Sequence, residues 1–88
     1  MMRKNIPNSD EHSHFYQRLK DCRTDRDLTQ EAIAMRLGID QRVYSTYETG
    51  KAQIPTRHLI TLAVFYGVSI DYLVGLTDEP TPPVRRGR

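Results

Sequence analysis

The sequence predicts an all-α domain in which five short helices pack as a compact cluster. Apolar residues recur at spacings of three and four in five separate runs. Gly38, Gly50 and Gly67 each follow one of these runs, at the position where a left-handed residue commonly ends a helix. The alternation of apolar and polar residues that is typical of strands does not persist, and no internal repeat is present.

The chain of 88 residues is long enough for one small domain. Residues 1–13 lack apolar periodicity, and residues 78–88 are rich in proline and arginine, so we expect both ends to be flexible. The folded domain is therefore predicted to span residues 14–77. A domain of this size lies near the lower limit for folding without disulfides or a metal.

The composition argues against several classes of function. The single cysteine, Cys22, cannot form an internal disulfide and fits a reducing cytoplasm. No apolar run approaches the roughly 20 residues of a membrane span, and no secretory signal is present. The spacing of His12, His14 and Cys22 matches no common zinc site. We therefore predict a cytoplasmic protein that has no metal, cofactor or enzymatic activity.

The net charge of +2 does not by itself predict a nucleic-acid partner. Acidic and basic residues nearly balance within residues 14–76, and the surplus comes from the final "RRGR". Any prediction of DNA binding must therefore depend on where the polar side chains lie.

The first two predicted helices are bounded by local signals. The first, "FYQRLKDCRTDRD", places Phe15, Leu19 and Cys22 on one face, and Asp27 is suited to a left-handed stop. Thr29 is a suitable N-cap for the second helix, whose apolar stripe is formed by Ile33, Ala34 and Leu37.

The remaining three helices follow after short loops. Asp40 caps the third helix, which ends near Thr49, and Val43, Tyr44 and Tyr47 are predicted to face the core. The fourth, "TRHLITLAVFYG", opens after Pro55, and its His58 is interpreted as a surface residue. Ser69 caps the fifth helix, "SIDYLVG".

Two helices joined by a short turn containing glycine form a helix-turn-helix unit. In DNA-binding examples, the second helix enters the major groove and its N-terminal residues reach the base edges. Gln41 and Arg42 lie in the first turn of the third helix, and Ser45 and Thr46 follow one turn later. Glutamine can pair with adenine and arginine with guanine through two hydrogen bonds.

The segments "LTQEAIAMRLGI", "YSTYETGK", "IP", "LITLA" and "GVSIDYLVG" occur in the order and spacing of a known family. From about Phe15 to Val74 the chain resembles the five-helix domain of the Cro and lambdoid phage repressor family, also called Xre-like. The resemblance implies a lambda-repressor-like fold. The chain also resembles small stand-alone regulators of bacteria and their mobile elements.

The resemblance also implies roles for individual residues. Base-facing positions correspond to Gln41, Arg42, Ser45 and Thr46. Positions that contact phosphates correspond to Thr29, Gln30, Thr49 and Lys51. Arg23 and Glu48 match a pair that ties the first helix to the end of the third, and we expect an ion pair there. Two departures are Asp40, where the family commonly has serine or threonine, and Tyr44, where it commonly has an aliphatic residue.

The predicted function is that of a sequence-specific DNA-binding transcriptional regulator. It would act as a repressor by occupying a palindromic operator as a homodimer, through an apolar surface comprising Val64, Phe65, Tyr72 and Leu76. The alternative is a protein-interaction module, such as an antitoxin or a regulator antagonist, that uses the same fold to bind a protein partner. The C-terminal tail could fold on that partner, contact DNA or be inert.

Overall fold

The computed structural model describes the backbone of residues 8–82 and the side chains from Gln17 onwards. Five α-helices follow in order: α1 (Asn8–Asp25), α2 (Gln30–Leu37), α3 (Gln41–Thr49), α4 (Thr56–Tyr66) and α5 (Ile70–Leu73). No strand occurs within residues 8–82. The predicted all-α class and the number of helices are confirmed. The side chains of His12, His14 and Phe15 fall outside the described part of the chain.

The turn between α2 and α3 has the local chemistry that the sequence predicts. The hydroxyl of Thr29 accepts a hydrogen bond from the amide of Ala32 at 3.0 Å and caps α2. Gly38 ends α2 with a φ of 73°, a left-handed conformation that a side chain would strain. Asp40 then accepts from the amide of Arg42 at 2.7 Å and caps α3. Gly38 and the Asp40 cap define where α2 ends and α3 begins.

The structure shows a helical segment before Phe15 and contacts between α1 and the residues that follow α5. Helix α1 begins at Asn8, so residues 8–13 are helical. A helix that has already formed can extend in this way, because each added residue gains one backbone hydrogen bond. At the other end, the guanidinium of Arg18 donates to the carbonyls of Tyr72 and Thr77 and pairs with Asp78 at 2.7 Å. Of the predicted tails at residues 1–13 and 78–88, residues 1–7 and 83–88 lie outside the part of the chain that the structure describes.

The core lies between α1, α2, α3 and the C-terminal pair of helices. Helix α3 packs against both α1 and α2, and α5 packs against α1 and α4. The largest completely buried side chains are Leu19, Ile33, Tyr44, Leu62 and Leu73, which come from all five helices. Since every helix contributes to one core, the orientation of α3 depends on the packing of the whole domain.

The prediction that Val43 faces the core is wrong, because its side chain is 43% exposed. Successive residues on a helix point roughly 100° apart, so one helix cannot bury Val43, Tyr44 and Tyr47 equally well. The two tyrosines occupy the inner face of α3, where their rings meet edge to face with centroids 6.2 Å apart. Val43 is left on the outer surface beside the polar residues of that helix.

The interpretation of His58 as a surface residue is wrong. Its side chain is buried on α4, and its ring centroid lies 6.3 Å from that of Tyr47 on α3. The Nε2 atom of His58 finds no hydrogen-bond partner among the residues that the structure describes. Burial, followed by the charge of the neighbouring Arg57, lowers the pKa of His58 below its ordinary value.

Acidification is therefore expected to destabilise the domain through His58. Because the pKa is lower in the folded state, the unfolded state takes up its proton first, and stability falls as the pH drops below about 6.5. His58→Leu removes the ionisable ring and should flatten this part of the profile. Urea unfolding of both proteins between about pH 7.5 and 5 measures the effect. Parallel profiles for the parent and the variant would contradict it.

Candidate nucleic-acid interface

Helix α3 presents a polar outer face opposite its buried tyrosines. Arg42, Ser45 and Thr49 follow one another at spacings of three and four, so they lie in one row along the helix. Gln41 and Arg42 are exposed at its N-terminal end, and Ser45 and Thr46 are half-buried. The four predicted base-facing residues therefore lie together on one accessible surface.

Glu48, on the inner side of the same helix, is the centre of a buried hydrogen-bond network. Its side chain is only 3% exposed. One oxygen accepts from Nε of Arg23 at 2.7 Å and from the hydroxyl of Tyr44 at 2.6 Å. The other accepts from Nη2 of Arg23 and from Nε2 of Gln30, each at 3.0 Å. The structure thus joins Arg23 and Glu48 in a two-bond ion pair and links α1, α2 and α3.

These contacts keep Glu48 ionised within the protein. Burial alone would raise the pKa of the carboxyl, but the hydrogen bonds from Arg23, Tyr44 and Gln30 outweigh it and leave the pKa below its ordinary value. Burial and the bond to Glu48 raise the pKa of the Tyr44 hydroxyl, so it remains a donor. The network therefore holds one charged carboxylate between two fixed donors and one permanent cation.

The network extends to the surface through two glutamines. Since Nε2 of Gln30 donates to Glu48, the amide oxygen of Gln30 faces outwards and accepts from Nε2 of Gln41 at 3.2 Å. The orientation of the Gln41 amide is thereby set, with its oxygen and one N–H left available. One donor beside one acceptor matches the N7 atom and the amino group of adenine in the major groove.

Arg42 extends from the first turn of α3 into solvent. Its side chain is 91% exposed, and its Nε lies 3.4 Å from the carboxylate of Asp40. The hydrogen bond from the Arg42 amide, followed by the contact with its side chain, lowers the pKa of Asp40. The two terminal nitrogens of Arg42 form no hydrogen bond with the residues that the structure describes.

The other predicted contact residues with a hydroxyl or an amine are Thr46, Thr49, Lys51 and Thr29. The hydroxyls of Thr46 and Thr49 donate to helix carbonyls one turn earlier, at 2.6 and 3.3 Å. Lys51 is exposed just after α3, and the hydroxyl of Thr29 serves as the cap of α2. Sequence reasoning missed the part played by the Tyr44 hydroxyl. The signal was a tyrosine in a core position, because a buried phenol requires a hydrogen-bond partner.

Other kinds of site find little support in the described residues. Among the side chains that the structure describes, those of residues 17–82, no group of three or more His, Cys, Asp or Glu is placed to hold a metal ion. None of the helices in that range has the length and apolar character that crossing a bilayer requires.

Comparison with known proteins agrees with the geometry of α2 and α3. A family model described as Helix-turn-helix matches residues 19–73, which include both helices and most of the core. The chain belongs to the helix-turn-helix family. The family resemblance predicted from the sequence is confirmed, and α3 is the second helix of the motif.

Several helix-turn-helix proteins are similar to this one over most of its length. It is 42% identical to the HTH-type transcriptional regulator YobD of Bacillus subtilis strain 168 over 72 residues, which cover 82% of this chain and 64% of YobD. It is 38% identical to the cryptic phage CTXphi transcriptional repressor RstR of Vibrio cholerae over 60 residues, which cover 68% of this chain and 54% of RstR. The chain spans less than two thirds of the length of these curated relatives.

A solved structure shows the same arrangement of helices. The crystal structure of a transcriptional regulator from Listeria innocua aligns with a TM-score of 0.66 and 27% sequence identity. The alignment covers 83% of this helix-turn-helix chain and 64% of the other chain. The compact five-helix fold predicted from the sequence is therefore found in a related protein.

Proposed function

We propose that this helix-turn-helix protein is a sequence-specific DNA-binding transcriptional regulator that represses by occupying its operator. The observation that carries the proposal is the contrast between the two sides of α3. Its inner side is fixed by the buried contacts of Glu48. Gln41 and Arg42 are exposed at its N-terminal end, which is the end of a recognition helix that contacts bases in the major groove. The names of YobD, a transcriptional regulator, and RstR, a phage transcriptional repressor, support the same function.

In the proposed complex, α3 lies in the major groove and the surrounding residues hold the backbone. Gln41, Arg42, Ser45 and Thr46 face the bases, and the exposed methyl groups of Val43 are suited to a thymine methyl. The phosphate contacts would come from Thr29, Gln30, Thr49 and Lys51. Gln30 retains one N–H that is not used by Glu48, which leaves it a donor for a phosphate oxygen.

The dependence of binding on salt tests this proposal. Binding to a labelled duplex is measured by fluorescence anisotropy from about 50 to 200 mM salt. If Lys51 and its neighbours neutralise phosphates, the logarithm of the association constant should fall linearly with the logarithm of the salt concentration. Absence of binding to any duplex by the folded protein would overturn the proposal and favour a protein-interaction module.

We further propose that two copies bind together on a palindromic operator. The support is a set of exposed apolar side chains on α4 and after α5: Val64 is 78% exposed, Leu76 71% and Ile60 49%. Phe65 is partly covered by Arg36, and Tyr72 lies half-buried beneath Arg18, so these two contribute less than the sequence suggested. A small surface of this kind fits pairing that is stabilised by DNA, since stable interfaces bury roughly 1,200–2,000 Å².

Val64→Asp should lower the cooperativity of operator binding while leaving the domain folded. The change places a charge in the proposed contact, but the side chain is too exposed to matter for the core. Thr24→Asp, at an exposed position of α1, is the matched control for the added charge. Titrations of one-half-site and two-half-site duplexes measure the cooperativity. Equal cooperativity in the parent and Val64→Asp would exclude this surface.

A further inference from the structure

Asp40 has a feature that capping α3 does not explain. Its Oδ1 atom accepts from the amide of Arg42 at 2.7 Å and lies 3.4 Å from Nε of the same residue. Its Oδ2 atom forms no hydrogen bond with the residues that the structure describes, and the side chain is 54% exposed, so this oxygen is available to a partner. Serine or asparagine would cap the helix as well as aspartate. The second carboxylate oxygen is therefore not needed for capping.

The position of this charge is unfavourable for general DNA binding. A carboxylate near the groove repels phosphates and offers no donor to them. An open groove borders Asp40 and Arg42, and it is also lined by Glu31, Met35 and Gln41. No described residue closes this groove over the pair. A group on DNA that donates a hydrogen bond would offset the repulsion.

Asp40 and Arg42 together present an acceptor beside a set of donors. The contact with Asp40 uses Nε of Arg42 and leaves both terminal nitrogens available. In the major groove, a G·C pair offers two acceptors, O6 and N7 of guanine, and one donor, the amino group of cytosine. Thymine offers an acceptor, O4, where cytosine offers a donor, so a carboxylate would be repelled there.

We propose that Asp40 and Arg42 form one specificity-determining unit that reads a single G·C base pair. The terminal nitrogens of Arg42 donate to guanine, and Oδ2 of Asp40 accepts from the amino group of the paired cytosine. The contact between the two side chains keeps the donors and the acceptor at adjacent positions. This inference rests on the proposed DNA-binding function and names the base pair that this end of α3 selects.

The test combines a protein change with a change of one atom group in DNA. Bound duplexes are first selected from a random pool, and Arg42→Ala identifies the base pair at which discrimination depends on Arg42. The cytosine of that pair is then replaced by 2-pyrimidinone, which lacks the amino group. The parent should bind this duplex roughly five- to tenfold more weakly. Asp40→Ser keeps a capping hydroxyl but is too short to reach the base. This variant should bind the cytosine duplex and the 2-pyrimidinone duplex almost equally well.

Glu31→Ser is the matched control, since Glu31 is an exposed acid that borders the same groove. It removes the same charge, and this variant should still bind the 2-pyrimidinone duplex roughly five- to tenfold more weakly than the cytosine duplex, as the parent does. Thermal unfolding checks that each variant is folded. If removal of the cytosine amino group weakened binding by Asp40→Ser as much as binding by the parent, the paired readout would be overturned and the DNA-binding function would stand. A pool without enrichment would overturn both proposals.

Discussion

Replacing Glu48 by alanine is expected to destabilise the domain by roughly 3–5 kcal/mol, the range for breaking a buried ion pair from one side. The change leaves the guanidinium of Arg23, which is only 11% exposed, without its carboxylate. It also removes the acceptor of the buried Tyr44 hydroxyl and of Gln30. Small domains have about 5–15 kcal/mol of stability in total, so much of the population should unfold near physiological temperature.

Urea unfolding followed by circular dichroism measures this loss. Glu31→Ala is the control, because it removes an exposed carboxylate from α2 and should change stability by less than about 0.5 kcal/mol. If Glu48→Ala were no less stable than Glu31→Ala, the buried network would not hold α3 against α1 and α2.

Arg42→Ala is expected to weaken binding to the preferred site by about 1–3 kcal/mol and to relax the choice at one base pair. The side chain is almost completely exposed and its terminal nitrogens are available, so its loss should act on readout and leave stability unchanged. Competition between the preferred duplex and duplexes changed at single positions measures the ratio of their affinities. An unchanged ratio would show that Arg42 does not read a base.

Lys51→Ala is the comparison that separates readout from backbone contact. Lys51 is exposed after the end of α3 and is proposed to contact a phosphate. Its loss should weaken all duplexes by about the same factor and reduce the slope of the salt dependence by about one. If Lys51→Ala changed base preference as strongly as Arg42→Ala, the assignment of the two roles would be wrong.

The ends of the helices could be predicted because they depend on neighbouring residues. The hydroxyl of Thr29, the carboxylate of Asp40 and the left-handed Gly38 act within three or four positions of themselves. Asp27 likewise adopts the left-handed conformation expected for it, with a φ of 57°. The start of α1 was not predicted, since residues 8–13 lack an apolar stripe and form a helix without a periodic signal.

Contacts between residues far apart in the chain could be predicted only in part. The family resemblance implied the proximity of Arg23 and Glu48. It did not indicate that Tyr44 and Gln30 share the same carboxylate, because that depends on the packing of α2 against α3. The burial of His58 and the contacts of Arg18 with residues 72–78 have the same origin. Such contacts follow from tertiary packing and leave no spacing pattern in the sequence.

Selection of bound duplexes from a random pool tests most directly whether α3 reads DNA sequence. The parent protein should enrich one motif with two related half-sites about one helical turn apart. A variant that carries both Gln41→Ala and Arg42→Ala should be folded but should lose the enrichment at the positions that these residues face. A parent pool that stays random, or a double variant that enriches the same motif, would contradict the assignment of α3 as the recognition helix.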